Sequence, residues 1–220
     1  MASHTSDTLG STLVAATGNP HKLGEIRGLL AGLGIAVLGL DEAGGPFPEP
    51  DETGDAFETN ATIKARAYAA ETGHPCLADD SGLEIEALGG RPGVISSHYD
   101  TDGRPDHRPR ADRDAANTAR VLRELEGVPD ERRGARFVCC MIVARPSGEV
   151  THAARGELQG RIGVPPRVPA GAHGFGYDPI FLVGPDHRRT AAELDPAEKA
   201  EISHRGEALR RLVERMRDPG

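Results

Sequence analysis

The apolar run Cys76-Leu77-Ala78 stops on two adjacent acids, Asp79 and Asp80, followed by Ser81 and Gly82. No other stretch restricts the fold as much. The run reads as the end of a buried strand, and carboxylates leaving a buried strand must reach a cleft, a cation or solvent. In an open α/β sheet, ligand crevices form at the carboxyl ends of the strands. Two neighbouring carboxylates repel unless a cation or a shared proton relieves them. Magnesium held by one or two carboxylates together with substrate phosphates is one such situation. Asp, Ser and Gly also favour turns, so the stretch read alone is first of all an Asp-Asp-Ser-Gly turn. Leu83, Ile85 and Ala87 then alternate with Glu84 and Glu86 as a half-exposed strand beginning after that turn.

The surrounding pattern is that of an α/β chain. Thr12 to Ala16 reads as a buried strand, and Thr17-Gly18-Asn19-Pro20 leads into a helix with Leu23, Ile26, Leu30 and Leu33 at helical spacing. Asn19 suits the N-cap and Pro20 the first helical position. A glycine turn opening a helix presents free N–H groups and a positive dipole end, a natural anion site, and Lys22 lies in its first turn. Ile35 to Leu40 is a second strand. Asp55 to Glu58 forms a capping-box pattern for a helix running to about Thr72, with Phe57, Asn60, Ile63, Lys64 and Ala67 on one stripe. Asp100 to Asp112 lacks periodicity and reads as a mobile loop with solvated arginines. Ala115, Ala119, Leu122 and Leu125 mark the next helix. Arg136 to Arg145 and Val150 to Ala154 form a hairpin about Pro146-Ser147-Gly148-Glu149.

Gly171 to Asp178 is glycine-rich, but the strand expected at Pro179 to Val183 follows where a dinucleotide fingerprint needs a helix. Glycines flanking two aromatics and an acid instead suit a flat ring stacked on Phe175, with Asp178 accepting its hydrogen bonds. Asp195-Pro196-Ala197-Glu198 opens a helix carrying Lys199. Ser203-His204-Arg205 then leads into a C-terminal amphipathic helix.

Charge and composition narrow the function. A net charge of −8 argues against wrapping a nucleic-acid backbone, and the longest apolar stretch, Val138 to Ala144, is too short for a membrane span. Met1 to Ser11 lacks the apolar core of a secretory signal and reads as a disordered tail. Three cysteines, two of them adjacent, make no disulfide framework and fit a cytoplasmic protein. Of 26 basic residues only Lys22, Lys64 and Lys199 are lysines, which marks them as positions where a compact point charge is wanted. There is no Walker A pattern, serine elbow or zinc spacing. Metal-assisted chemistry on a phosphorylated ligand is the remaining enzyme reading.

Taken together, Thr17 to Glu25, Glu52-Thr53-Gly54 with Phe57, Asn60 and Lys64, Ala78 to Leu83, Gly174 to Pro179 and Ser203 to Gly206 resemble the inosine triphosphate pyrophosphatase family. Five motifs occur in order over nearly the whole chain. The resemblance implies an elongated two-lobed α/β fold around a long mixed sheet, with flanking helices, a central cleft and a homodimer. It implies one catalytic domain over 12–217 that hydrolyses ITP, dITP or XTP to the monophosphate and pyrophosphate. By the same resemblance Thr17, Gly18, Asn19, Pro20, His21 and Lys22 hold the triphosphate, and Glu52 and Asp80 bind Mg2+. Asp80 also activates the attacking water, and Ser81 touches substrate. Phe175 stacks on the purine with Gly176, Tyr177 and Asp178 beside it, while Lys199, His204 and Arg205 read its oxygen-bearing edge. One departure is His98, which stands where the family commonly has an arginine. Two alternatives share this pocket: a pyrophosphatase for other modified nucleotides, and a non-catalytic nucleotide sensor, which would not need the metal acids.

Overall fold

The computed structural model describes residues 12–217, the side chain of His21 excepted, so the expected tail over 1–11 lies outside the described residues. Strand β1 (Thr12–Ala15) passes through a turn into helix α1 (Pro20–Leu30), and β2 (Ala36–Gly39) returns parallel to β1. Helix α2 (Phe57–Thr72) precedes β3 (Cys76–Ile85), which lies parallel to β1 on its other side. After α3 (Arg110–Glu124), β4 (Gly134–Ala144) and β5 (Val150–Ile162) form the expected hairpin, with β4 antiparallel to β3. Short strands β6 (Phe181–Val183) and β7 (Arg189–Thr190) complete the sheet, and helices α4 (Pro196–Ile202) and α5 (His204–Arg217) are the last described elements. The sheet order is β2-β1-β3-β4-β5-β6-β7, a long mixed sheet flanked by helices, as the sequence reading expects.

Alternation along the central strands decides what each face holds. Leu77, Cys139, Met141 and Val143 point to the side covered by Ile26 and Leu30 of α1 and by Ala208, Leu209 and Leu212 of α5. Ala78, Val138, Cys140 and Ile142 point to the opposite side, against Phe57, Ala61 and Ala65 of α2. A third cluster around Leu83, Ile85, Tyr99, Val121, Phe137 and Phe181 packs the far end of the sheet beneath α3.

The expected turn at Asp79 to Gly82 does not form. Residues 76–85 make one strand, paired with β4 from Cys76↔Ala144 to Ile85↔Ala135. A full antiparallel partner satisfies every backbone group on that side, which outweighs the local turn preference. Gly82 serves close packing instead: a Cβ there would lie 2.3 Å from Ser96 Oγ.

Other expectations shift for similar reasons. α2 starts at Phe57 with Ala56 in the N-cap position and no side-chain cap, so the Asp55 capping box is not made. Asn60 ties this helix start instead, its Oδ1 accepting the Gly54 N–H at 2.8 Å. Residues 93–101 wind into 3-10 turns and α3 begins at Arg110, so the irregular stretch shrinks to 102–109. Arg108, expected in solvent, pairs with Asp100 at 2.5 Å and Asp106 at 2.6 Å. Asp178–Ile180 form a 3-10 turn before β6, where a strand from Pro179 was expected. The Asp195 cap is made as read, accepting the Glu198 N–H at 2.8 Å.

Candidate active site

β1 pairs with β3 only at Val14↔Cys76 and Ala15↔Leu77. Past that point, among the described residues, the β1-side edge of β3 has no strand beside it from Ala78 to Leu83, while β4 continues on the other edge. The open edge is the crevice. Thr17 to Pro20 turn beside it at the end of β1, with Thr17 Oγ1 accepting the Asn19 N–H at 3.1 Å and the Asn19 carbonyl accepting the Leu23 N–H as α1 begins. Gly18 and Pro20 are exposed there, and the side chain of His21 lies outside the described residues.

Asp79 points to the α1/α5 side. Lys22 Nζ donates to its Oδ2 at 3.0 Å and Oδ1 at 3.2 Å, and Arg205 Nε lies 3.5 Å from the same Oδ2. Arg205 Nη2 also donates to Ser81 Oγ at 3.3 Å. Burial alone would raise the Asp79 pKa, but Lys22 and then Arg205 outweigh it and hold the carboxyl well below the usual range. Both cations come from first helical turns, of α1 and α5. Arg205 is placed by the closeness of α5 to β5: a Cβ on Gly156 would lie 2.2 Å from the His204 carbonyl oxygen and 2.4 Å from the Ala208 nitrogen.

Asp80 points to the α2 side. Lys64 Nζ sits 2.9 Å from Glu52 and 3.6 Å from Asp80 Oδ1, and donates to the Asp79 carbonyl at 3.3 Å. Asp80 Oδ1 accepts the Ser81 N–H at 3.0 Å, whereas its buried Oδ2 has no hydrogen-bond partner among the described residues. Burial pushes the Asp80 pKa up to about 6, Lys64 opposes this and Glu52 adds to it. Lys64 loses stability as a cation by burial but is raised overall because both acids face it. Its charge is divided between two carboxylates, and Asp80 has the longer contact.

Two acids against one lysine leave this pocket a formal unit negative. The orphaned Oδ2 and the nearby Glu52 fit a hard divalent cation that takes its remaining oxygens from water and phosphate. Among the described residues no group of three or more His, Cys, Asp or Glu side chains forms a complete metal cage.

The third part of the site is the loop before β6. Phe175 is 45% exposed, the most exposed of the large apolar side chains among the described residues. Asp178 Oδ2 accepts the Phe175 N–H at 2.7 Å and is ion-paired with Lys199. Lys199 Nζ also lies 5.3 Å from the Phe175 ring centroid, and the Arg110 guanidinium lies 4.3 Å from it. Tyr177 differs from expectation: its ring is buried in the core and its hydroxyl donates to the Ser96 carbonyl at 2.8 Å. A tyrosine in this sequence anchors the loop because its bulk fills the cluster beneath α3, leaving Phe175 as the exposed ring. His204 stacks on Phe137 with centroids 5.1 Å apart, and its Nδ1 has no hydrogen-bond partner among the described residues. Burial first, then Arg205 and Lys199, lower the His204 pKa to about 3, so its ring is neutral.

Lys22, Asp79, Ser81 and Arg205 are therefore in one contact network, Glu52, Lys64 and Asp80 in a second across β3, and Phe175, Asp178 and Lys199 in a third. Sequence reasoning missed three supports. Asp114 of α3 accepts the Gly176 N–H at 2.8 Å, Ser96 takes the Tyr177 hydroxyl, and Arg110 lies over Phe175. Asp114 and Arg110 have no local signal, since charged residues early in a helix read as solvated. His98, at the departure from the family pattern, contacts the Ser97 hydroxyl through Nδ1 at 3.0 Å.

The Ham1 family model matches residues 13–215. The chain is 46% identical over 203 residues to a dITP/XTP pyrophosphatase of Exiguobacterium sibiricum, covering 91% of this chain and 94% of that protein. It is 48% identical over 207 residues to a dITP/XTP pyrophosphatase of Nitratidesulfovibrio vulgaris, covering 93% and 95%. A HAM1 protein from Coxiella burnetii superimposes with a TM-score of 0.79 at 43% identity, over 92% of this chain and 96% of that one. With a match that spans all three parts of the site, the chain belongs to the Ham1 family.

Proposed function

We propose that this protein hydrolyses non-standard purine nucleoside triphosphates, dITP, ITP and XTP, to the monophosphate and pyrophosphate, and so cleanses the nucleotide pool. The observation that carries the reading is the division of charge about β3. Lys22 and Arg205 outnumber Asp79 on one side and suit an anion, while Glu52 and Asp80 outnumber Lys64 on the other and suit a cation. The open edge of β3 joins the two. Relatives named dITP/XTP pyrophosphatase support the same substrate class.

In this mechanism the turn from Thr17 to Lys22 takes the triphosphate, with Lys22 on its charge. Glu52 and Asp80 would hold Mg2+, which supplies charge stabilisation at the phosphates and lowers the pKa of a bound water. Asp80, whose pKa burial raises to about 6 before any cation binds, is ionised at neutral pH and can take a proton from the attacking water. The water oxygen bonds to the α-phosphorus, the bond from that phosphorus to the α,β-bridging oxygen breaks, and pyrophosphate leaves. Phe175 offers a face for the purine, and Lys199, the neutral His204 and Arg205 offer donors to its edge. Hypoxanthine and xanthine present a carbonyl where adenine presents an amine, so adenine would leave these donors unpaired.

A homodimer, supported by the family resemblance, and a cytoplasmic location belong to the same proposal. Among the described residues no helix is long and apolar enough to cross a membrane, and the three cysteines are unpaired, which fits a reducing compartment. The deciding experiment mixes the protein and Mg2+ with ITP, XTP, dITP, ATP, GTP and dUTP and measures pyrophosphate. Release from the first three supports the proposal. Release mainly from dUTP would move it to modified pyrimidines, and no release at all would leave only nucleotide binding.

A further inference from the structure

The mechanism above gives Asp79 no part, yet it is the acid through which the two ends of the site meet. Its Oδ2 is shared by Lys22 Nζ at 3.0 Å and Arg205 Nε at 3.5 Å, and its side chain is only 10% exposed. Lys22 stands at the start of α1, beside the turn assigned to phosphate. Arg205 stands at the start of α5, next to His204, at the end assigned to the base. Because strand alternation turns Asp79 away from Glu52 and Asp80, it lies outside the pocket that suits a cation.

We propose that Asp79 is a positioning residue that couples phosphate occupancy to base recognition by exchanging partners. One carboxylate faces two cations, so its attraction is divided between them. A phosphate that draws Lys22 off Asp79 leaves the carboxylate to Arg205 alone, and the longer contact closes. Arg205, also held by Ser81 Oγ at 3.3 Å, is then fixed in orientation toward the base edge. By linkage the effect is reciprocal: an orienting base at Arg205 eases the release of Lys22 to phosphate. Nucleotides are thereby read as a whole, because a triphosphate with the wrong base and a correct base without phosphates each engage half of the switch.

This inference rests on the nucleotide reading of the site, and its test is separable from that reading. Inosine is titrated calorimetrically into the protein with and without saturating pyrophosphate, while dITP hydrolysis is measured on the same preparation. Wild type should bind inosine about fivefold or more tightly when pyrophosphate is present. Asp79→Asn keeps the shape but loses the charge, and should give the same inosine affinity with and without pyrophosphate. Arg205→Lys, which keeps the cation but cannot hold both Asp79 and Ser81, should also lose the coupling and serves if Asp79→Asn does not fold. A wild-type ratio of one, or a wild-type ratio retained in the folded variants, overturns the proposal even where dITP is hydrolysed. Absence of dITP, ITP and XTP hydrolysis in wild type instead overturns the assigned reaction.

Discussion

Asp79 and Asp80 are consecutive on β3, and their carboxylates lie on opposite faces of the sheet, one on Lys22 and Arg205, the other beside Lys64 and Glu52. The repulsion implied by their adjacency is relieved by geometry, since an extended chain sends neighbours to opposite sides. Their titration diverges accordingly. Asp79 is held below the ordinary carboxylate range and Asp80 is raised to about 6. Divergent pKa values in neighbouring acids separate their roles.

Asp80→Asn preserves shape and removes the proton acceptor. Turnover of dITP should fall by about 10²- to 10⁴-fold, the usual range for a general base, while nucleotide still binds. Pyrophosphate release together with a binding isotherm checks this. Near wild-type turnover would move the water-activating role to another residue.

Magnesium should stabilise the fold more in mild alkali than in mild acid. Burial raises the folded-state pKa of Asp80 from the ordinary 3.8 to about 6. The group therefore favours folding at low pH, and that contribution is lost as pH rises through about 6. A cation at the carboxylate restores it above that pH, whereas below it the cation must displace a proton. Thermal melts with and without Mg2+ should show the larger rise in Tm at about pH 8 and the smaller at about pH 5. Equal rises would exclude Asp80 as a ligand.

Phe175→Ala should weaken nucleotide binding with little effect on stability, because the ring is 45% exposed. Stacking of a base on an aromatic side chain is worth about 1–3 kcal/mol, which corresponds to a rise in KM of about 5- to 150-fold for dITP. An unchanged KM would remove Phe175 as the purine platform.

Gly156→Ala should act on base recognition from outside the site. Its Cβ would fall 2.2 Å from the His204 carbonyl oxygen, so α5 must move and carry His204 and Arg205 with it. Overpacking of this kind costs about 1–3 kcal/mol. Thermal melts should show the loss, and the preference for dITP over ATP should narrow. Unaltered preference in a destabilised variant would mean that the placement of α5 does not set selectivity.

Much of this was legible from residue type and order. All three lysines end on acids of the site, Lys22 on Asp79, Lys64 on Glu52 and Asp80, and Lys199 on Asp178. The scarcity of lysine among so many arginines singled out three positions that all face carboxylates, where a compact point charge fits. Tyr177 was not legible, since nothing in Phe175-Gly176-Tyr177 says which ring meets solvent. Ser96, Asp114 and Arg110 come from distant segments and support the base loop only once the chain is folded.

The sequence by itself determined the family, the order of the motifs and the charged groups available, because these depend on residue identity and spacing along one dimension. The tertiary structure decided what the paired acids do. β4 supplied a full ladder for residues 76–85, so a stretch with strong turn preference stayed extended and its side chains alternated. β1 ended opposite Leu77, leaving the other edge of β3 open to join the two faces. Non-local backbone pairing overruled local propensity, and that is what separates the roles of Asp79 and Asp80.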